Sequence, residues 1–199
     1  MTRSFTLNFD YRCPYARIVH NHVITGLRGG ADWNVTFTPF CLGQAHVEDG
    51  QSDIWDRPYD DSGIVALQAA IAVRETQPQF FIPVHYAIFE YRHTQNGNLR
   101  ERGPLNEVIA PCGVDIGAMW SEVDSGSPLA TIKDEHTRFA SSHSVWGVPT
   151  FIVDDKAVFV RLLDLPLGDA ALAINTIERA LDNIAWSSLN EFKHTSVPR

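Results

Sequence analysis

Little in this chain could staple or anchor it. Cysteine occurs three times in 199 residues, at positions 13, 41 and 112. That is too few, and oddly numbered, for a structural disulfide framework, so reduced thiols in a reducing compartment are expected. No apolar run approaches the length that spans a bilayer. The first residues pass straight into an extended run without a basic leader or a small-residue cleavage site, and a cytoplasmic location is the expectation. A basic excess is missing too: 24 acidic against 16 basic side chains leave a formal charge of −8 and a pI near 5.4. This argues against attraction to nucleic acid or to an anionic membrane. There is no Gly-x-Gly-x-x-Gly, no phosphate loop, no Cys-x-x-Cys pair and no Gly-x-Ser-x-Gly, so no nucleotide cofactor is implied. No internal repeat or low-complexity segment is present.

What is present suits one domain with a sizeable core, or one domain carrying an insertion: 44% of residues are hydrophobic and 20% charged. The stretch from Ser4 to Gly26 organises the rest. Phe5, Leu7 and Phe9 alternate with polar neighbours as in a strand, and Ile18, Val19, Val23 and Ile24 recur at helical spacing. Cys13-Pro14-Tyr15-Ala16 lies at the handover. Pro14 suits a first helical position, which puts Cys13 at the N-cap. There the N–H groups of Tyr15 and Ala16 and the helix dipole would stabilise a thiolate, so the thiol pKa is expected below the roughly 8.5 of a free cysteine. The competing reading is an inert, buried core cysteine.

Downstream, Trp33 to Phe40 reads as a second strand after stop signals at Gly26 and Gly29-Gly30, giving a βαβ unit with parallel strands. Right-handed crossover ends both strands at one sheet edge, so Cys41 is expected on the same edge as Cys13. The run from Gly43 to about Tyr59 reads as an exposed loop. Helical patterns then follow: one through Ile64, Leu67 and Ile71 ended by Pro78, one through Phe81, Val84 and Ile88 that Pro83 either begins or kinks, and three shorter ones up to Phe139. Cys112 and His136 continue apolar stripes and read as packing residues. Thr150 to Val153 and Ala157 to Arg161 flank a turn at Asp154-Asp155-Lys156 and read as an antiparallel hairpin, followed by a last helix opening near Asp169. His20 and His22, two apart on a helix, cannot face one site, so no metal site is expected.

Asp10-Tyr11-Arg12-Cys13-Pro14-Tyr15-Ala16 resembles the active-site turn of DsbA-like thioredoxin-fold oxidoreductases, with Ala16 where that family usually has a second cysteine. The order of elements resembles that branch as well, and Trp146-Gly147-Val148-Pro149-Thr150 is similar to its cis-proline loop. The resemblance implies an α/β fold: a thioredoxin-like βαβ–ββα core with an inserted all-helical subdomain. The expected divisions are core residues 1–45, a loop and helical insertion over 46–144, and core residues 145–199. It also implies that Cys13 is the nucleophile, that Pro14, Tyr15 and Ala16 form the turn, and that Trp146, Val148, Pro149 and Thr150 shape a substrate groove. Without a second cysteine in the turn, a mixed disulfide on Cys13 would be released by a low-molecular-weight thiol of the mycothiol or glutathione type, acting as co-substrate rather than a tightly bound cofactor. Cys41 is a candidate internal resolving thiol. Asp10 is a candidate proton relay, although surface solvation is the simpler expectation. The tail Phe192-Lys193-His194-Thr195 is similar to that of mycothiol-dependent nitroreductases. Pro39-Phe40 and Leu42-Gly43 resemble kappa-class glutathione transferases and 2-hydroxychromene-2-carboxylate isomerases, in which Cys13 would activate a bound thiol without forming a disulfide. A non-catalytic thioredoxin-like binding module is a third reading, and a homodimer through the helical insertion is a candidate state.

Overall fold

In the computed structural model, residues 2–191 are described. The tail from Phe192 lies outside the described residues. Four strands form one mixed sheet: β1 (Arg3–Phe9), β2 (Trp33–Pro39), β3 (Thr150–Val153) and β4 (Lys156–Phe159), in the order β2-β1-β3-β4. β1 runs parallel to β2, with Phe5 opposite Val35 and Phe9 opposite Pro39. It runs antiparallel to β3, pairing Leu7 with Phe151, and β3 and β4 close the expected hairpin. The alternation of Phe5, Leu7 and Phe9 in β1 buries all three. Phe5 packs edge-on against Trp33 and within 5.5 Å, ring to ring, of Phe151.

Helix α1 (Pro14–Arg28) crosses from β1 to β2, and its last turn is closed by backbone bonds from the Gly29 N–H. It packs against the closing helix, α8 (Ala170–Ala185), whose N-cap Asp169 accepts the Leu172 N–H at 2.9 Å. Such a cap is worth about 1 kcal/mol relative to alanine. Between β2 and β3 the chain makes one short helix, α2 (Leu42–Ala45), and five longer ones: α3 (Ile64–Thr76), α4 (Phe81–Thr94), α5 (Arg102–Ile109), α6 (Ile116–Asp124) and α7 (Ser127–Ser142). α3 is apolar on nearly all sides and is the buried axis of this block, touching α4, α6 and α7. Pro83 sits in the first turn of α4, where its missing N–H leaves no intrahelical bond unmade.

The segment expected as an exposed loop is more ordered than its pattern indicates. Besides α2 it contains two single 3-10 turns, Ile54–Asp56 and Pro58–Asp60, with Ile54 and Trp55 buried. Two adjacent large apolar side chains, which create no period, are enough to fasten it. Among the described residues, no helix is long and apolar enough to cross a membrane.

Candidate active site

Cys13 occupies the N-cap of α1 with extended backbone angles, and its sulfur accepts the Ala16 N–H at 3.4 Å. The turn that delivers it is closed by the Cys13 N–H on the Asp10 carbonyl at 3.1 Å. From the other side comes the loop before β3. The Val148–Pro149 bond is cis, and the thiol of Cys13 donates to the Val148 carbonyl, with 3.2 Å between sulfur and oxygen. Thr150 fastens this loop by donating from Oγ1 to the Gly147 carbonyl at 2.7 Å, and the Val160 N–H reaches the Pro149 carbonyl at 3.1 Å. The structure therefore brings together Cys13, Pro14, Tyr15, Val148, Pro149 and Thr150. Ala16 is fully buried in the first turn. Tyr15 is half-buried with the Arg161 guanidinium 4.7 Å above its ring. Trp146 is 69% exposed and its ring lies 4.8 Å from that of Phe159.

Cys13 itself is 8% exposed, and this reverses the expected direction of its acidity. Burial pushes the thiol up from its ordinary value, the Ala16 and Tyr15 N–H groups pull it down less, and the Asp10 charge adds to the rise. The resting species is a neutral thiol, consistent with its donation to Val148.

Asp10 is not solvated as expected; its side chain is fully buried. Oδ1 accepts the N–H and Nε of Arg12, at 2.8 and 3.1 Å, and Oδ2 accepts Nη2 of Arg12 and the Leu42 N–H, both at 2.8 Å. Four bonds use the acceptor capacity of a carboxylate, which makes Asp10 a clamp between the Cys13 turn and α2. Arg12 continues to a second buried carboxylate, Asp61, at 2.9 Å. Asp61 also accepts the N–H groups of Gly63 and Ile64 at the head of α3, at 2.7 and 2.8 Å. Gly43 permits this approach: a Cβ there would come 1.9 Å from Asp61 Oδ2.

Cys41 caps α2 on the same edge, fully buried, with its sulfur 3.9 Å from Asp61 Oδ2. Burial first, then the charges of Asp61 and Asp10, push its thiol up to about 12. All three cysteines are free thiols.

Beneath the turn lies a chain of hydrogen bonds in which every proton can be placed. A carbonyl only accepts, so His20 donates from Nε2 to Asn8 O at 3.1 Å. Its Nδ1 must then accept from His85 Nε2 at 2.8 Å, and His85 Nδ1 must accept from the Tyr11 hydroxyl at 2.8 Å. Burial lowers the pKa of both imidazoles, that of His20 to about 3. His93 donates to the Tyr11 carbonyl at 2.8 Å. Periodicity could not bring these residues together, because they come from the β1–α1 turn, α1 and α4. Asp61 had a signal, an Asp-Ser-Gly run immediately before an apolar helix.

His143 packs on Phe139, and His136 stacks on Phe40 with ring centroids 4.1 Å apart. The Nε2 atoms of His20 and His22 bond to different carbonyls, those of Asn8 and Asp164. A cavity along β2, walled by Phe37, Arg74, Phe81 and Glu135, includes no residue of the Cys13 turn or the proline loop.

No family model and no curated protein matches the sequence. Solved structures do. A thioredoxin-like oxidoreductase from Silicibacter pomeroyi DSS-3 is 21% identical, with 90% of this chain and 86% of that one covered and a TM-score of 0.57. DsbA from Pseudomonas aeruginosa is 19% identical over 91% and 87%, TM-score 0.56. The thiol-disulfide exchange protein alpha-DsbA2 from Wolbachia pipientis is 14% identical over 90% and 80%, TM-score 0.59. The chain has the thioredoxin-like fold of the DsbA type, with a helical insertion between its second and third strands.

Proposed function

We propose that the protein is a thiol-dependent oxidoreductase that works through Cys13 alone, by way of a mixed disulfide released by a low-molecular-weight thiol of the glutathione or mycothiol type. The observation that carries this reading is the sulfur at the head of α1, 3.2 Å from the carbonyl that precedes Pro149. Solved structures with this fold include proteins named as oxidoreductases and thiol-disulfide exchange proteins.

The chemistry follows from the surroundings. A disulfide approaching the loop takes over the Val148 carbonyl's neighbourhood, and the Cys13 thiol gives up its proton to solvent. The Ala16 and Tyr15 N–H groups face the sulfur as its charge develops. Sγ attacks one sulfur of the disulfide, a new S–S bond forms as the old one breaks, and the departing thiolate takes up a proton. A second small thiol attacks the mixed disulfide and returns Cys13 to the thiol. Ala16 offers no internal sulfur for that step, and Cys41 is turned to Asp61. Action in the cytoplasm, where small thiols are abundant, belongs to this reading.

One observation favours a second reading. A neutral S–H can donate a hydrogen bond to the thiolate of a bound small thiol, as a transferase or isomerase would require. Cys13→Ser separates the two. Exchange through a mixed disulfide predicts a mass adduct on Cys13 after treatment with an oxidised small thiol, its release by reduced thiol, and at least a hundredfold loss of exchange in the serine protein. No adduct, with activity retained by serine, supports the second reading and defeats the first.

A further inference from the structure

We propose that Arg161 and Tyr15 form an anion-receiving lip beside Cys13, so that the small disulfide or thiol taken by the site carries a carboxylate. This rests on Cys13 being the exchange thiol. Three observations converge. First, Arg161 follows directly on Val160, whose N–H is bonded to the Pro149 carbonyl at 3.1 Å, and the carbonyl one residue earlier in that loop faces Sγ. Second, the guanidinium lies 4.7 Å above the ring of Tyr15, two residues past Cys13 in the same first helical turn. Arg161 and its neighbour Val160 therefore touch both segments that meet at the sulfur, the Cys13 turn through Tyr15 and the proline loop through Pro149.

Third, Arg161 is exposed, and among the described residues no carboxylate lies within ion-pair distance of it. Arg3, Arg12, Arg17 and Arg74 are each held by carboxylates. A guanidinium held over an aromatic face by cation–π attraction still has N–H donors to offer a planar oxyanion, which it can grip with two parallel bonds. The buried carboxylate whose charge reaches Cys13, Asp10, is paired with Arg12. The net charge of −8 opposes an anion at this site only weakly, since at physiological salt exposed charges more than roughly 8 Å away are largely screened. The exposed Trp146, its ring tilted against that of Phe159, offers apolar surface in the same loop. A carboxylate-bearing disulfide such as oxidised glutathione fits both; a disulfide without charge uses only the second.

The test separates charge from exchange. Cys13 is alkylated with iodoacetate and with iodoacetamide, reagents of nearly equal size differing by one negative charge, and the rate ratio is referred to the same cysteine in the denatured chain. The folded protein should favour iodoacetate about three- to fivefold over that reference, the size expected of an exposed ion pair. Arg161→Gln should erase the preference, Arg161→Lys should restore part of it, and 1 M salt should collapse it. A ratio equal to the denatured reference, or one untouched by Arg161→Gln, overturns the assignment. So does failure of both reagents to reach Cys13. In parallel, adducts from oxidised glutathione and from 2-hydroxyethyl disulfide are compared. An adduct from the uncharged disulfide with no charge preference sinks the lip and keeps the exchange reading. A charge-dependent alkylation with no adduct from either disulfide keeps the lip's anion preference and sinks the exchange.

Discussion

Cys13 and Cys41 stand at matching places in the architecture, each at the N-cap of the helix that follows a strand of the parallel pair. One reads as the reactive sulfur and the other as inert. The backbone of the cap does not decide this, because both have extended angles. What faces the sulfur does. Cys13 looks at a neutral carbonyl and two N–H groups and keeps 8% of its surface open. Cys41 looks at a carboxylate 3.9 Å away and keeps none. A thioredoxin-like edge thus has two caps of similar geometry and opposite chemistry, set by the element packed against each.

The two sides are also braced differently, and pH should pull them apart. Besides the Asp10–Arg12 pair, which ties it to α2, the Cys13 turn rests on a neutral chain through Tyr11, His85 and His20. His20 is depressed to about 3 in the fold, so the unfolded chain binds more protons below its ordinary value near 6.5, and stability falls as pH drops from about 6.5 toward 3. The expected loss is on the order of 4 kcal/mol, read from denaturant midpoints across that window. Beside Cys41 the sign is opposite. Its thiol, raised from 9.0 to about 12, keeps its proton in the fold and loses it in the unfolded chain, so stability falls as pH rises from about 9 to 12. Cys41→Ala should reduce the alkaline loss, a part of which stays with Cys13 and Cys112, whose thiols burial also raises, and leave the acid limb in place.

Asp61→Ala comes next in size. It removes the acceptor of Arg12 Nη1 and of two N–H groups, for a cost of about 3 kcal/mol in thermal or chemical unfolding. It also removes a charge that helps hold Cys41 protonated, so the Cys41 thiol becomes more acidic than in the unsubstituted protein while the Cys13 contact with Val148 stays. Smallest is Tyr11→Phe. It leaves His85 Nδ1 without its donor, costs about 1 kcal/mol, and should appear as faster amide exchange in the Cys13 turn with none around Cys41.

The comparison also marks what a linear reading can reach. The βαβ unit, the hairpin and the cap at Cys13 were legible because each rests on neighbours within one helical turn or one strand pair: Pro14 after Cys13, Phe5 alternating with Leu7, an Asp-Asp-Lys turn. The direction of the Cys13 acidity is not legible in sequence, since the local N–H groups are visible there and the burial beside Val148 is not. The burial of Asp10 is hidden for the same reason: Arg12 is a local partner, but Leu42 closes on the carboxylate only when β1 and β2 end at one edge. The Gly43 to Tyr59 run lacked a period, and Ile54 and Trp55 order it by single anchoring contacts. Arg161 above Tyr15 joins residues from opposite ends of the core, which no spacing rule connects.

The most direct test is the alkylation rate of each cysteine as a function of pH, resolved by mass in the folded protein, with half-buried Cys112 as internal reference. Cys13 should be modified in the native state, with a rate that climbs through the ordinary thiol range and levels only above it. Cys41 should be modified only as fast as the protein unfolds, its rate following added denaturant. Parallel modification of Cys41 and Cys13 in the native protein, or a Cys13 rate that levels below the ordinary thiol range, would contradict the assignment of the two caps.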